Sequence, residues 1–250
     1  MAGHNKWSKV KHIKGPLDAK RGKLFSRLAR EIAVAAKDGG GDPDLNARLR
    51  LAINSAKAQN MPGDTIERAI KKGSGEIEGA NYEHCVYEGY GPGGLALMIE
   101  ILTENKNRAA ADIRSIFKKN GGSFGTSGSV AYLFDHTGMI GVPLPCCEED
   151  QLLELALEAG ATDVTRIGSH HVISTAPNLL GSVADALRAL DVEVAFQELA
   201  FVPKTTVRVD DDSIGDQARR LYQALDDYDD SQNVFANFEI TEAIPETTDI

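Results

Sequence analysis

The chain has 250 residues, 42% of them hydrophobic and 26% charged, a balance that fits two or three small globular domains. No apolar run approaches the roughly 18 residues that a membrane-spanning helix needs. The net charge of −10 conceals a division: residues 1–72 hold 16 Lys and Arg against 7 Asp and Glu, a net of +9, and the remainder carries −19. One module is therefore suited to a polyanion and the rest is not.

The opening MAGHNKWSKVKHIKGP reads as an extended basic arm with Lys6, Lys9, Lys11 and Lys14, His4 and His12, and the only tryptophan, Trp7. Gly15-Pro16 closes it, because proline disfavours helix in the residue before it. It lacks the apolar centre of a secretory signal and the Arg and Ser richness of a transit peptide, so a cytoplasmic protein is expected. LDAKRGKLFSRLAREIAVAAKDGGG follows as a helix. Leu24, Phe25, Leu28, Ile32 and Ala36 share one face, and Lys20, Lys23, Arg27, Arg30 and Lys37 form an outer basic stripe on the other. Asp18 is the candidate cap and the glycines are the stop. Arg21 falls among the apolar positions, which suggests a carboxylate partner. A second helix fits LNARLRLAINSAKAQN, with Leu49, Ala52, Ile53 and Ala56 inward. A third fits DTIERAIKKG, with a capping box of Asp64 and Glu67 and a stop at Gly73. GSGEIEGAN is a linker.

From residue 82 the texture changes to short strands and helices. YEHCVYEGYGPGGLALMIEILT predicts strand, turn, strand; KNRAAADIRSIFKKNGG a helix; SVAYLFDHTGMIGVP strand, turn, strand. EEDQLLELALEAGA and LLGSVADALRALD are helices around two short strands in DVTRIGSHHVISTA, and VEVAFQELAFVP is a strand. DDSIGDQARRLYQALDDYDD and SQNVFANFEI are the last helix and strand. The middle run spells βαββαβ, a ferredoxin-like pattern, and the outer pieces complete a similar unit. The expected fold is α+β: a three-helix N-terminal domain and two small α/β sandwiches, one inserted in the other. The expected bounds are 1–75, 80–134 with 205–240, and 135–204.

Signals that resemble chemistry have plainer accounts. GYGPGG (Gly89, Gly91, Gly94) matches a dinucleotide-loop spacing, but a strand follows it instead of a helix, so a hairpin turn is expected. NGGSFGTSGS lacks the Lys-Ser/Thr of a phosphate-binding loop and reads as a connection. His170 and His171 are adjacent on a strand, point to opposite faces and do not share a metal. Cys85, Cys146 and Cys147 form no C-x-x-C, so neither a zinc site nor a disulfide framework is expected. The acidic clusters 210–212 and 226–230 are open to three readings. They could hold a hard cation, although the EF-hand spacing is absent. They could be a solvated face with a helix cap. They could also repel nucleic acid from the wrong surface or dock on the basic module in cis. No cofactor, metal or catalytic residue is expected.

The positive signal is the basic segment. Residues 1–30 carry nine Lys and Arg and one acid, Asp18. Such a segment binds a polyanion by releasing counterions, and Trp7 and the histidines are suited to stacking on bases. The plainer alternative has Trp7 pinning the arm to the helices. The three-glycine loop is not the tight turn of a helix-turn-helix, so no major-groove reader is evident. The motifs MAGHNKW, AKRGKLFSRLAREI, GGGDPDLNARLRLAI, NMPGDTIERAIKKG, YEGYGPGGLALMIE, NKNRAAADIRSIFKKNGG, SGSVAYLF and ALDDYDDSQNVFANFEI resemble the YebC/PmpR family over essentially the whole chain. The departure noted is Asn5, where many members have Ser. The resemblance implies a bacterial cytoplasmic protein of three domains that regulates transcription by binding DNA. It equally implies an alternative, a translation factor at the ribosome or its RNA that eases difficult stretches such as consecutive prolines. The nucleic-acid-contact residues, from charge and the family-like opening, are His4, Lys6, Trp7, Lys9, Lys11, Lys14, Lys20, Lys23, Arg27 and Arg30. A protein-interaction scaffold is the third reading. An enzyme is the last, for want of a convergent polar constellation.

Overall fold

The computed structural model describes residues 17–78 and 81–240. The chain opens with three helices, α1 (Leu17–Gly39), α2 (Ala47–Ala58) and α3 (Gly63–Ser74). Ile32, Ala35 and Ala36 of α1 pack on Leu49, Ala52, Ile53 and Ala56 of α2 and on Ile66 and Ala69 of α3; of these the periodicity marks Ile32, Ala36 and the four positions of α2. Asn46 joins α1 to α2. Its side chain accepts from Leu49 N at 3.0 Å, capping α2. Its amide donates to Ala35 O at 2.7 Å and Gly40 O at 2.8 Å, so a buried polar group is fully used.

Two details of these helices differ from expectation. α1 starts at Leu17, which puts Asp18 inside it. α3 begins after Pro62 with no side-chain cap, so the Asp64–Glu67 box does not form, and it ends at Gly75 with φ 82°. Gly73 lies within α3 at its crossing with α1, where a Cβ would sit 2.1 Å from Ala33 O. The glycine is there for close approach, not for a stop.

The remaining elements are β1 (Glu83–Tyr90), β2 (Ala96–Thr103), α4 (Lys106–Lys119), β3 (Ser123–Phe124), β4 (Phe134–Pro143), α5 (Glu149–Glu158), β5 (Asp163–Ile167), β6 (His170–Thr175), α6 (Leu180–Ala189), β7 (Phe196–Pro203), β8 (Val207–Val209), α7 (Asp212–Asp227), β9 (Ser231–Ala236) and β10 (Phe238–Ile240). The fold is α+β. One antiparallel sheet runs β3-β1-β2-β9, and a second runs β5-β6-β4-β7, the strand order of a ferredoxin-like unit. β9 joins the first sheet from beyond the whole of the second.

β2 is nearly all buried because it is covered on both faces. Leu97, Ile99 and Ile101 meet Ile113 and Phe117 of α4 and Leu221 and Leu225 of α7. Ala96 and Met98 face the second sheet at Met139, Val172 and Ala200. α5 and α6 cover the far side of the second sheet.

Sequence reading expects a turn inside SVAYLFDHTGMIGVP, but β4 runs straight through Thr137-Gly138. Gly138 is required by packing, since a Cβ there would lie 2.5 Å from Thr175 Oγ1. The final strand breaks at buried Asn237, whose side chain accepts from Ala96 N at 2.8 Å. The chain then pairs parallel with β8, a three-residue strand not anticipated from sequence.

Candidate nucleic-acid interface

Six of the expected contact residues, His4, Lys6, Trp7, Lys9, Lys11 and Lys14, lie outside the described residues. Lys20 belongs to α1, and its side chain is likewise not described. The other three, Lys23, Arg27 and Arg30, recur at helical spacing on one stripe of α1. Sequence reading turns this stripe to solvent. In the structure it faces the C-terminal end of α7, and the three side chains are only 26%, 18% and 19% exposed.

The contacts form a charge clasp. Lys23 Nζ donates to Asp226 O at 2.5 Å and to Asp227 Oδ1 at 3.0 Å. Arg27 Nη1 donates to Asp226 Oδ1 at 3.0 Å, and Nη2 donates to Asp226 O. Arg30 donates to Asp229 O and lies 3.8 Å from Asp230 Oδ1. A helix C-terminus is the place for cations, because its last carbonyls are unpaired and the dipole is negative there. The acids at 226–230 thus take the third of their readings, docking on the basic module in cis.

Asp230 is the anchor. It is buried and also accepts from Arg108 Nη2 at 2.7 Å and Thr103 Oγ1 at 2.8 Å. Burial opposes ionisation of Asp227, but hydrogen bonds from Gln223 and Lys23 and the Lys23 charge hold its carboxyl below the usual range. Burial and the adjacent Asp230 push the Tyr228 phenol up, so it stays a neutral donor to Asp112 at 3.1 Å.

The other flagged segments resolve into internal structure. In the glycine-serine loop, Glu88 reaches across from β1. Its carboxylate accepts from Gly128 N at 2.7 Å, Val130 N at 2.7 Å and Ala131 N at 2.9 Å. Burial alone would raise its pKa, and the three donors reverse that and hold it low. The backbone donors a phosphate would seek are occupied by the chain's own carboxylate. GYGPGG is the β1–β2 connection, with Gly91 N donating to Leu95 O at 2.6 Å. Asp211 caps α7 through Ser213 N at 2.8 Å and Ile214 N at 3.0 Å. His171 is buried and His170 is paired with Ser169 Oγ at 3.1 Å. Cys85, Cys146 and Cys147 are free thiols. Among the described residues, no three His, Cys, Asp or Glu side chains are grouped to hold a metal. No helix among them is long and apolar enough to cross a membrane.

Sequence reasoning missed one polar cluster, between β1, β2 and β9. His84 Nε2 lies 3.9 Å from Glu100 Oε1, and Asn233 donates to Glu100 Oε2 at 2.8 Å. Burial raises the Glu100 pKa, with the charges of Glu31 and Glu198 adding to it. A lone Glu in an otherwise apolar β2 is the signal that marks this site.

Residues 5–76 match the family model described as the TACO1/YebC protein N-terminal domain, and residues 82–238 match the TACO1/YebC second and third domain. A protein of Desulfatibacillum aliphaticivorans, named "Probable transcriptional regulatory protein", is 54% identical over 240 residues, covering 96% of this chain and 97% of that one. A protein of Pelotomaculum thermopropionicum with the same name is 52% identical over 242 residues, covering 96% and 99%. Among solved structures, a conserved hypothetical protein from Aquifex aeolicus, Aq1575, superposes with a TM-score of 0.85 at 46% identity, covering 96% and 99%.

Proposed function

The chain belongs to the TACO1/YebC family, and on that premise we propose that it is a non-enzymatic, cytoplasmic, DNA-binding transcriptional regulator. The observation that carries the reading is the charge partition, net +9 in residues 1–72 of a chain of −10. In this reading His4, Lys6, Trp7, Lys9, Lys11, Lys14 and Lys20 make the first contacts. Lys23, Arg27 and Arg30 follow by exchanging the carboxylates and carbonyls of residues 226–230 for phosphates. The clasp then favours discrimination, because a weak polyanion does not displace three engaged cations. The domain bounds that accompany the reading are 1–75, 80–134 with 205–240, and 135–204.

A second reading, a ribosome- or rRNA-associated translation factor, draws on one observation. The basic face of α1 is turned onto α7 and is not offered to a major groove. A single strand met by the arm needs no groove-reading helix.

The test is fluorescence anisotropy with promoter and scrambled duplexes over a salt series. Retained preference for the promoter at high salt supports the regulator, because base contacts carry it. Equal binding at every salt concentration, with co-sedimentation on ribosomes that is lost when residues 1–16 are removed, moves the assignment to the second reading.

A further inference from the structure

A recess of about 430 Å³ opens between the C-terminal end of α4 and the flank of α7, lined by Lys119, Asn120, Gly121, Gln217 and Arg220. We propose that it binds a backbone phosphate of the nucleic acid that the arm engages, an inference that rests on the reading above.

Two cations at this recess are left without a partner. The chain has 37 acidic and 27 basic residues, so a lysine or arginine has no shortage of carboxylates. Among the described residues, Lys23, Arg27, Arg30, Arg48, Lys106, Arg108, Arg188, Lys204 and Arg219 are all paired. Lys119 and Arg220, like Lys57, Arg68, Lys71, Lys72, Lys118, Arg166 and Arg208, have no ion pair or hydrogen bond among those residues, and these two line one recess together. Lys119 has a helix-dipole reason to be where it is, at the end of α4. Arg220 has none, since it sits mid-helix. The carboxylate one turn before it, Asp216, is taken by Arg219 at 3.1 Å.

The wall of the recess is fixed. Asn120 donates to Ile116 O at 2.8 Å, and Gly121 turns the chain at φ 75°. At Gly122 a Cβ would lie 2.7 Å from Tyr90 O, so the backbone there packs closely against the end of β1. Position on α7 selects the ligand. Arg220, Gln223 and Asp227 lie on one stripe of the helix, and Asp227 holds Lys23 of α1. The seven residue steps from Arg220 to Asp227 span about 10 Å of helix. The recess therefore lies about two helical turns along α7 from the contact that Asp227 makes with Lys23.

The experiment compares the full chain with K119Q/R220Q, with an arm variant K6Q/K9Q/K11Q and with a control R166Q/R208Q, which removes two exposed cations elsewhere. Fluorescein-labelled single-stranded RNA and duplex DNA are the probes, each over a salt series, with thermal unfolding of every variant. Removing two phosphate contacts should flatten the slope of log K against log salt by about 1.4 for a single strand or about 1.8 for a duplex. The control should leave the slope unchanged, and all melting temperatures should agree. An unchanged slope for K119Q/R220Q, while the arm variant still weakens binding, overturns the recess and leaves the functional reading standing. An equal change in the control also overturns it, because bulk charge then suffices. No binding of either probe by the unaltered chain overturns both.

Discussion

Arg27 of α1 and Asp226 of α7, 199 positions apart in the chain, meet side chain to side chain at 3.0 Å. The contact ties the basic helical region to the acidic remainder at one corner, with Lys23 and Arg30 on either side of it.

A double-mutant cycle of Arg27→Met and Asp226→Asn should give a coupling of about 1 kcal/mol, discounted from the buried case because Asp226 is a third exposed. Thermal unfolding at low and high salt checks it. Salt should lower the melting temperature of the unaltered chain more than that of the double variant. A coupling of zero at low salt would mean that the clasp is incidental.

Glu88 should make stability fall in acid. Its folded pKa lies below the unfolded value, so the stabilisation is full above the unfolded pKa, near 4.5. It is lost as the pH drops through the lower, folded value. Glu88→Gln replaces one acceptor oxygen by a donor facing backbone N–H groups and should cost about 1–3 kcal/mol at neutral pH. That difference should shrink in acid, and urea unfolding at a series of pH values measures it.

Glu100 should behave in the opposite sense. Its folded pKa is raised chiefly by burial, so the fold favours the protonated form and stability falls as pH rises from the unfolded pKa through the folded one. Glu100→Gln should therefore melt higher than the unaltered chain at neutral pH, by about 2–4 °C for each kcal/mol recovered. The gap should close near pH 4. A variant that melts lower at neutral pH would show that the ionised carboxylate is needed where it is.

Gly73→Ala gives a prediction whose sign is the test. Alanine in place of glycine inside a helix ordinarily stabilises by about 0.5–1 kcal/mol. Here the added carbon would strike Ala33 O, so α1 and α3 must separate. A net loss of about 1–3 kcal/mol is expected. A gain in melting temperature would refute the close crossing.

Much of the fold was legible because burial follows periodicity. Leu49, Ala52, Ile53 and Ala56 are the inward positions of α2 by spacing and by structure alike. The βαββαβ run was legible for the same reason. What spacing cannot reveal is what a face meets. Lys23, Arg27 and Arg30 form a stripe in any helical reading, but their partner lies some 200 residues away. Docking in cis stood as one of several readings of the acids. Nothing in the sequence singles out Glu88, because its role depends on a loop forty positions on. Gly73 and Gly138 read as a stop and a turn, since sequence does not separate a glycine needed for conformation from one needed for contact. β8 is too short to carry a period.

The most direct test of the nucleic-acid assignment is ultraviolet crosslinking of the tagged full chain in growing cells, with sequencing of the attached nucleic acid and mapping of the crosslinked peptides. The account predicts enrichment at discrete promoter sites, with the crosslinked peptides falling within residues 1–30; attachment at a few rRNA positions would instead select the translation reading. Recovery of no nucleic acid above an untagged control, from cells in which the protein is abundant and folded, would contradict the account.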